Sequence, residues 1–284
     1  MTAASASAAS YTRPEAFQRE RRSVFQSAWL LFARASLFAK PGDYVAQTLG
    51  GWPLFAIADS DGTPMAFRNV CRHQGLPLFD TGGGHCERIR CRYHGWTYDT
   101  AGNFVTAPPT VAPPDPREPL HRLERVAAAC RHGLLFVHLG TVSSPLAETP
   151  DPLADADFDR LAFSGESVTD IDTNWKLAIE RALALTPPDI DRRLQWPTLI
   201  VDFAAAGVVL HQVVARAFQR TRIHHHRYGA VEADAVAACA ETLKRACIAA
   251  QAELQRGGAS ALPEDPALAD FRARLRVFDP AGAA

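Results

Sequence analysis

The pattern of apolar and polar positions divides the chain into a helical start, a β-rich middle and a mixed second half. Apolar residues from Phe17 to Phe32 recur on one broad face, which predicts a helix over residues 15–35. From Asp43 to Pro108, short apolar runs alternate with glycine turns such as Asp61-Gly62. This pattern predicts a small antiparallel β-sheet.

The second half combines further strand patterns with one long helix. A second β region is expected to begin near Arg125, and residues 195–228 are expected to form strands joined by a turn. Apolar residues at three- and four-residue steps predict a helix over 231–256, ended by Gly257-Gly258. Residues 1–14 are expected to be a loose tail, and the proline-rich residues 107–120 an extended segment. The predicted fold class is therefore α+β.

Composition excludes several classes of protein. The 284 residues are 47% hydrophobic and 21% charged, which excludes a disordered, collagen-like or coiled-coil chain. The net charge of −1 gives no indication of a nucleic-acid partner. Charged residues interrupt the most apolar stretch, 199–218, so we expect no membrane span, and the N-terminus lacks a secretory signal pattern. We expect a cytoplasmic protein whose six cysteines are reduced or metal-bound.

Two matched segments carry the strongest chemical signal. Cys71-Arg-His73 is followed after seventeen residues by Cys91-Arg-Tyr-His94, and a glycine closes each segment. Two cysteines and two histidines in such pairs suit a [2Fe–2S] cluster in which histidine replaces cysteine on one iron. A structural zinc ion also accepts two cysteines and two histidines, so these residues alone leave both sites open.

The surrounding sequence resembles the Rieske domain of ring-hydroxylating oxygenase alpha subunits. The matching segments are PGDY at 41–44, AFRNVCRHQG at 66–75 and CRYHGWTYDTAGNF at 91–104. The resemblance implies one Rieske [2Fe–2S] cluster, with Cys71 and Cys91 on one iron and His73 and His94 on the other.

The same resemblance implies three regions. These are an N-terminal tail and helix over 1–36, a Rieske antiparallel β domain over 37–125 and a reduced helix-grip domain over 126–284. The helix-grip domain is expected to combine an antiparallel sheet with the long C-terminal helix.

The resemblance also distinguishes this domain from the respiratory Rieske type. That type joins its cluster loops by a disulfide, whereas the corresponding positions here are Leu76 and Tyr93. A hydroxyl that bonds a cluster sulfur there is replaced by Trp96. Fewer hydrogen bonds to the sulfurs stabilise the reduced cluster less, so we expect a potential of roughly −150 mV.

The second half departs from the family where a mononuclear Fe(II) site is expected. Oxygenases of the family bind this iron with two histidines and one carboxylate. Residues 174–177 with Glu180 resemble the family's entry helix, but the acidic position then falls on Ala184 and a histidine position on Pro187.

The third ligand position falls on Cys247, counted from Gln255-Arg256-Gly257, and no histidine occurs from 139 to 210. We therefore expect the mononuclear iron to be absent and assign no catalytic residue.

His224-His225-His226 offers an alternative metal site. On a strand, His224 and His226 would share one face, with His225 on the other. A solvated sheet face or a subunit contact is the interpretation we favour for this run. His138, His211, Cys239 and Cys247 are expected to be structural.

The resemblance leads us to expect a Rieske subunit that passes electrons to, or scaffolds, a partner catalytic subunit. The expected partners are an intact Rieske oxygenase subunit, in a mixed trimer or hexamer, and an NAD(P)H-dependent reductase or ferredoxin. Three alternatives stay open. They are a complete mono- or dioxygenase with a non-standard iron site, a stand-alone Rieske electron carrier, and a structural protein with an incidental cluster.

Overall fold

A computed structural model describes residues 8–108, 119–158, 160–258, 262 and 265–278. The chain divides into two compact units, one of Met1–Leu30 with Ser143–Ala284 and one of Leu31–Val142. The sequence analysis placed the domain boundaries after residues 36 and 125. Residues 1–7 of the predicted tail and 109–118 of the predicted proline-rich segment lie outside the described residues.

Two helices open the described chain, α1 (Ala8–Thr12) and α2 (Pro14–Ser23), so the expected loose tail is wrong over Ala8–Thr12. The predicted helix over 15–35 is wrong in its second half, because Trp29–Arg34 form a strand, β1, of which five residues are buried. A short, continuous apolar run suits a buried strand as well as a helix, and periodicity alone does not separate them.

The unit of Leu31–Val142 contains two β-sheets whose described strand pairs are antiparallel. Its further strands are β2 (Asp43–Leu49), β3 (Trp52–Ala58), β4 (Pro64–Arg68), β5 (Gly82–His85), β6 (Ile89–Arg90), β7 (Thr97–Tyr98), β8 (Phe104–Thr106), β9 (Arg125–Arg131) and β10 (Leu134–His138). The strand orders are β1-β10-β9-β4-β3-β2-β5 and β6-β7-β8. The antiparallel β region predicted from Asp43 is confirmed.

The core of this unit positions the candidate ligands. Phe55, Phe67 and Tyr98 are fully buried in one apolar cluster that also contains Cys71 and Cys91. The predicted second β region from Arg125 joins the same sheet, because β9 pairs with β4. The sequence pattern gave no sign of this pairing, since it depends on contacts distant in the chain.

The other unit contains a five-stranded antiparallel sheet and three further helices. Its elements are β11 (Phe163–Ile171), α3 (Trp175–Ala184), β12 (Asp191–Gln195), β13 (Leu199–Ala204), β14 (Gly207–Ala217), β15 (Arg220–Gly229), α4 (Ala233–Gln255) and α5 (Pro266–Phe278). The strand order is β11-β15-β14-β13-β12. The α+β class and the long helix near 231–256 are confirmed, while β11 and α5 were not predicted.

Buried polar contacts tie the N-terminal helices to α3. Asn174 caps α3 by accepting a hydrogen bond from the Lys176 amide at 3.0 Å. The carboxylate of Glu20 on α2 accepts from Trp175 Nε1 at 2.7 Å and forms an ion pair with Lys176. Both side chains of this ion pair are almost completely buried.

None of the helices among the described residues combines the length and the apolar character that a membrane span requires.

Candidate metal centre

Two loops with the same backbone pattern carry the four predicted ligands. In each loop, the cysteine amide donates to the carbonyl five residues later at 2.8 Å, and the glycine amide donates to the cysteine carbonyl at 2.9 Å. Gly75 and Gly95 have φ of 75° and 70°, a left-handed conformation that favours glycine. The shared turn therefore presents Cys71 and Cys91 in the same way.

The side chains of these loops lie close together. Cys71 and Cys91 are buried, and the rings of His73 and His94 have centroids 4.8 Å apart at 89°. Trp96 stacks on His73 at 4.9 Å.

Nδ1 of His73 and Nε1 of Trp96 are buried and have no hydrogen-bond partner. Such atoms are costly unless something binds them. A metal at Nδ1 of His73 and a sulfide acceptor near Trp96 would remove that cost. The two thiols, two imidazoles and orphaned nitrogens fit a Rieske cluster.

Two polar contacts hold the first loop in place. The carboxamide oxygen of Asn69 accepts from the amides of Leu78 and Phe79 at 3.1 and 3.0 Å, and its nitrogen donates to the Phe79 carbonyl at 2.8 Å. Asp80 then accepts two hydrogen bonds from Arg92, at 2.6 and 2.7 Å. Because Arg92 follows Cys91, this exposed ion pair links the two loops.

The sequence analysis missed Tyr98 as a contributor to this site. Its hydroxyl lies 3.3 Å from Sγ of Cys71 and accepts from the Arg72 amide at 3.1 Å. Burial raises the pKa of the Cys71 thiol, and the contact with Tyr98 opposes that shift. The sequence feature that could have indicated this role is the WTYD segment after the second loop, in which Tyr98 follows Trp96 by two residues.

The positions predicted to have lost the mononuclear iron ligands lie on α3, after it and on α4. Ala184 ends α3, and Pro187 lines a cavity. Cys247 is fully buried on α4 with Sγ 4.0 Å from the Leu177 carbonyl, and burial raises its pKa to about 12. Glu180 accepts hydrogen bonds from Tyr11 and Arg272.

The histidine run on β15 has the predicted alternation. His224 and His226 share one face, with rings 6.1 Å apart at 10°, and His225 points to the other. Glu166 on β11 contacts both, at 2.7 Å from Nδ1 of His224 and 3.5 Å from Nδ1 of His226. The sequence analysis did not identify Glu166 because its strand is distant in the chain.

Over the residues that the structure describes, no three His, Cys, Asp or Glu side chains converge as one mononuclear metal site. A Rieske cluster does not need such a group, because each of its two irons takes two protein ligands.

Comparison with known proteins identifies one domain of this chain. Residues 28–124 match the family model of the Rieske [2Fe–2S] domain. Chlorobenzene dioxygenase subunit alpha of Cupriavidus sp. (strain PS12) is 39% identical over 98 residues, which are 34% of this chain and 22% of that protein. The glycine betaine monooxygenase oxygenase subunit of Chromohalobacter salexigens is 32% identical over 174 residues, 60% of this chain and 39% of that protein.

Solved structures extend the likeness in fold beyond that domain. The apo form of the quaternary ammonium Rieske monooxygenase CntA has a TM-score of 0.79 at 18% identity, over 96% of this chain and 94% of that one. Naphthalene 1,2-dioxygenase with indole bound has a TM-score of 0.68 at 16% identity, over 98% and 92%.

This chain therefore contains a Rieske [2Fe–2S] domain. The resemblance of its sequence to Rieske oxygenase alpha subunits is confirmed over that domain, and the whole chain shares the fold of the solved Rieske oxygenases. The matched sequence segments span well under half of the two relatives named above. Both of those relatives are named as subunits of their oxygenases.

Proposed function

We propose that this chain is the Rieske subunit of an oxygenase system and carries electrons to a partner catalytic subunit. Cys71 and Cys91 would hold one iron of a [2Fe–2S] cluster, and His73 and His94 the other. When bound, the cluster supplies one-electron transfer. The observation that carries the proposal is the pair of matched loops, in which buried thiols lie beside two imidazoles and Nδ1 of His73 has no partner.

The protein's own residues would keep this edge rigid and accessible. Asn69 and the Asp80–Arg92 pair hold the loops, so little rearrangement is needed when an electron arrives. His73 and His94 are only partly buried, and Gln74 beside them is exposed. An electron acceptor can therefore approach the imidazole edge closely.

We also propose that the chain holds no mononuclear iron of its own. Ala184 and Pro187 carry no metal-binding side chain, and the Cys247 thiol is enclosed between α4 and α3. The resemblance to subunits of larger oxygenases supports an intact Rieske oxygenase subunit as partner, in a mixed trimer or hexamer. The electron donor would be an NAD(P)H-dependent reductase or a ferredoxin. We place this role in the cytoplasm, where the six free cysteines would stay reduced or metal-bound.

Metal analysis of two matched cysteine variants tests the cluster assignment. The purified protein should contain about two irons and two sulfides per chain and give a Rieske electron paramagnetic resonance signal when reduced. Cys91→Ser should lose both metal and signal, whereas Cys86→Ser, a half-buried thiol in the same unit, should keep them. A colourless protein with one zinc ion per chain would contradict the assignment.

Substitution beside the imidazole edge tests the partner. Gln74→Trp should slow turnover of the partner catalytic subunit and leave cluster content unchanged, because it blocks approach without touching a ligand. Asp61→Trp, in the β3–β4 turn of the same unit, should leave turnover unchanged. Native mass measurement should show a mixed oligomer. Self-association alone, with partner turnover indifferent to this chain, would reject the accessory role.

A complete oxygenase with a non-standard iron site is the second candidate. Two observations favour it: the fold covers 94% of a chain named as a monooxygenase, and Glu166 contacts both His224 and His226. Two histidines and one carboxylate are the donor set of many non-haem iron sites, and a bound iron would have to draw these three side chains together, because they do not converge among the described residues.

Iron content separates the two candidates. The complete oxygenase should contain a third iron per chain, and His224→Ala/His226→Ala should remove both this iron and product formation. That result would reject the proposal that the chain holds no mononuclear iron. His85→Ala, an exposed histidine of the other unit, is the control. Two irons per chain and no product formation after loading with Fe(II) would reject the second candidate.

A further inference from the structure

A polar concavity of about 370 Å³ lies where β11 ends and β14 turns into β15. Its charged lining consists of Asp170, Asp172, Arg216 and Arg220, and the rest of its wall consists of Ile171, Ala217 and Thr221. None of these residues is a predicted ligand of the cluster or of the alternative metal site. The concavity is therefore separate from the chemistry described above.

Hydrogen bonds fix the backbone around this concavity. The Thr221 hydroxyl donates to the Thr173 carbonyl at 2.8 Å, and the carboxamide nitrogen of Asn174 donates to the Phe218 carbonyl at 3.0 Å. Both bonds fasten the β14–β15 turn to the residues that lead into α3. The charged side chains of the wall therefore project from backbone positions that are held in place.

A β-bulge on β14 brings Arg216 to the concavity. Ala215 pairs with Thr221 and Ala217 pairs with Arg220, so Arg216 is an extra residue in β14. In a regular strand, Arg216 and Ala217 would point to opposite faces, whereas both line this concavity. A bulge re-aims a side chain in this way and is frequent beside functional sites.

Three charged side chains share the concavity without pairing. Asp170 accepts two hydrogen bonds from Arg222, at 2.8 and 2.7 Å, and this contact lowers the pKa of Asp170, which therefore stays ionised and engaged. Arg216, Arg220 and Asp172 are exposed, and none has a hydrogen bond or ion pair with a described residue. Two guanidinium groups and one carboxylate are thus available to a ligand.

This set of groups selects among small ions. Three arginines and two aspartates make the region net positive, which favours an anion. The planar guanidinium forks suit the oxygens of a tetrahedral oxyanion. Asp172 repels an anion that has no proton, because a carboxylate only accepts hydrogen bonds. An anion with one hydroxyl group can donate to Asp172 while its other oxygens accept from the arginines.

We propose that this concavity binds hydrogen phosphate, with Arg216 and Arg220 donating to its oxygens and Asp172 accepting from its hydroxyl. At about 30 Å³ for each water-sized group, there is room for about twelve such groups, so the anion keeps part of its hydration. The site lies within the unit of the five-stranded sheet and does not depend on the cluster or on a partner subunit.

Phosphate and sulfate test the chemistry of the ligand. At about pH 8 the two anions have nearly the same charge and shape, but only phosphate carries a proton. Calorimetric titration at constant ionic strength should show phosphate binding with a Kd of about 1 mM, as expected for two hydrogen bonds from charged donors. Sulfate should bind at least about tenfold more weakly. Equal affinity for both anions, or no binding of phosphate, would overturn the proposal.

Substitution of the exposed side chains locates the site. Arg216→Gln and Arg220→Gln should each weaken phosphate binding at least about tenfold, whereas Arg245→Gln, an exposed arginine of α4, should leave it unchanged. Asp172→Asn should bring the affinities for phosphate and sulfate close together, because an amide nitrogen donates to either anion. The ratio of affinities isolates this effect, since the change in net charge strengthens both anions alike. Phosphate binding that survives Arg216→Gln/Arg220→Gln, or a preference for phosphate that survives Asp172→Asn, would place the anion elsewhere and overturn the assignment.

Discussion

The phenolic oxygen of Tyr98 lies 3.3 Å from Sγ of Cys71. The same oxygen accepts a hydrogen bond from the Arg72 amide, so the hydroxyl proton is free to point toward the sulfur. Hydrogen bonds to a cluster sulfur stabilise the reduced, more negative state. The Tyr98 hydroxyl therefore acts to raise the reduction potential of the cluster. The sequence analysis had predicted a low potential because Trp96 replaces a hydroxyl donor.

Tyr98→Phe should lower the reduction potential of the cluster. A contribution of about 1 kcal/mol from one hydrogen bond corresponds to a shift on the order of 50 mV for a one-electron couple. Voltammetry of the purified protein measures it. Tyr93→Phe, an exposed side chain on the second loop, is the control and should shift the potential little. An equal shift in both variants would show that the Tyr98 hydroxyl does not tune the cluster.

Asn69→Ala should destabilise the first cluster loop. The change removes the acceptor of two buried amides, at Leu78 and Phe79, and each unsatisfied donor costs about 1–3 kcal/mol. We expect faster loss of visible absorbance in chelator and a lower midpoint of urea unfolding. Asn103→Ala removes a carboxamide whose hydrogen bond is to Asp99 in a turn, and its effect should be smaller. Equal rates of bleaching in the two variants would show that Asn69 does not hold the loop.

The cluster loops could be predicted from sequence because their chemistry is local. A cysteine, a histidine and a glycine within five residues define each loop, and the structure brings the two loops together. The roles of Asn69 and Asp80 could not be predicted, since they depend on which side chains meet after folding. The strand at Trp29–Arg34 was missed because an apolar run is compatible with either kind of element.

The second unit was less predictable for a related reason. The alternation of His224 and His226 follows from strand geometry alone. Their neighbour Glu166 and the contact between the rings of His211 and His225 depend on strand register, which pairs Glu166 with His226 and His211 with His225. The register between strands that are far apart in the chain cannot be predicted from a single sequence.

Lys176→Met should strongly destabilise the unit that contains α3. It leaves the buried carboxylate of Glu20 without its charged partner, and such a loss costs about 3–5 kcal/mol. The free energy of unfolding in urea measures the effect. Replacing both partners, Glu20→Gln/Lys176→Met, should recover part of the loss because no buried charge remains.

An exposed ion pair on α5 provides the matched control. Asp270 and Arg274 are both about half exposed, so Arg274→Met should cost less than about 1 kcal/mol. If Lys176→Met costs no more than Arg274→Met, the buried pair does not fasten α2 to α3.

His225 should make stability depend on pH in the acidic range. Burial, with His211 and the flanking His224 and His226, lowers its pKa to about 3 in the folded protein, from an ordinary value near 6.5. Between these values the unfolded chain binds a proton that the folded chain does not. This contribution to stability is therefore complete above about pH 6.5 and is lost as the pH falls toward 3, with a slope of at most about 1.4 kcal/mol per pH unit.

Urea unfolding at a series of pH values checks this dependence. His225→Gln removes the titrating group, so the free energy of unfolding should change less steeply between pH 6.5 and 4 than in the unmodified protein. His224→Gln, on the opposite face of the same strand, keeps His225 in place and should retain the slope. The slope isolates His225 because a general loss of stability would shift the whole curve without flattening it. If the slope persists in His225→Gln, other groups cause the acid sensitivity, and His225 is not held neutral by its burial.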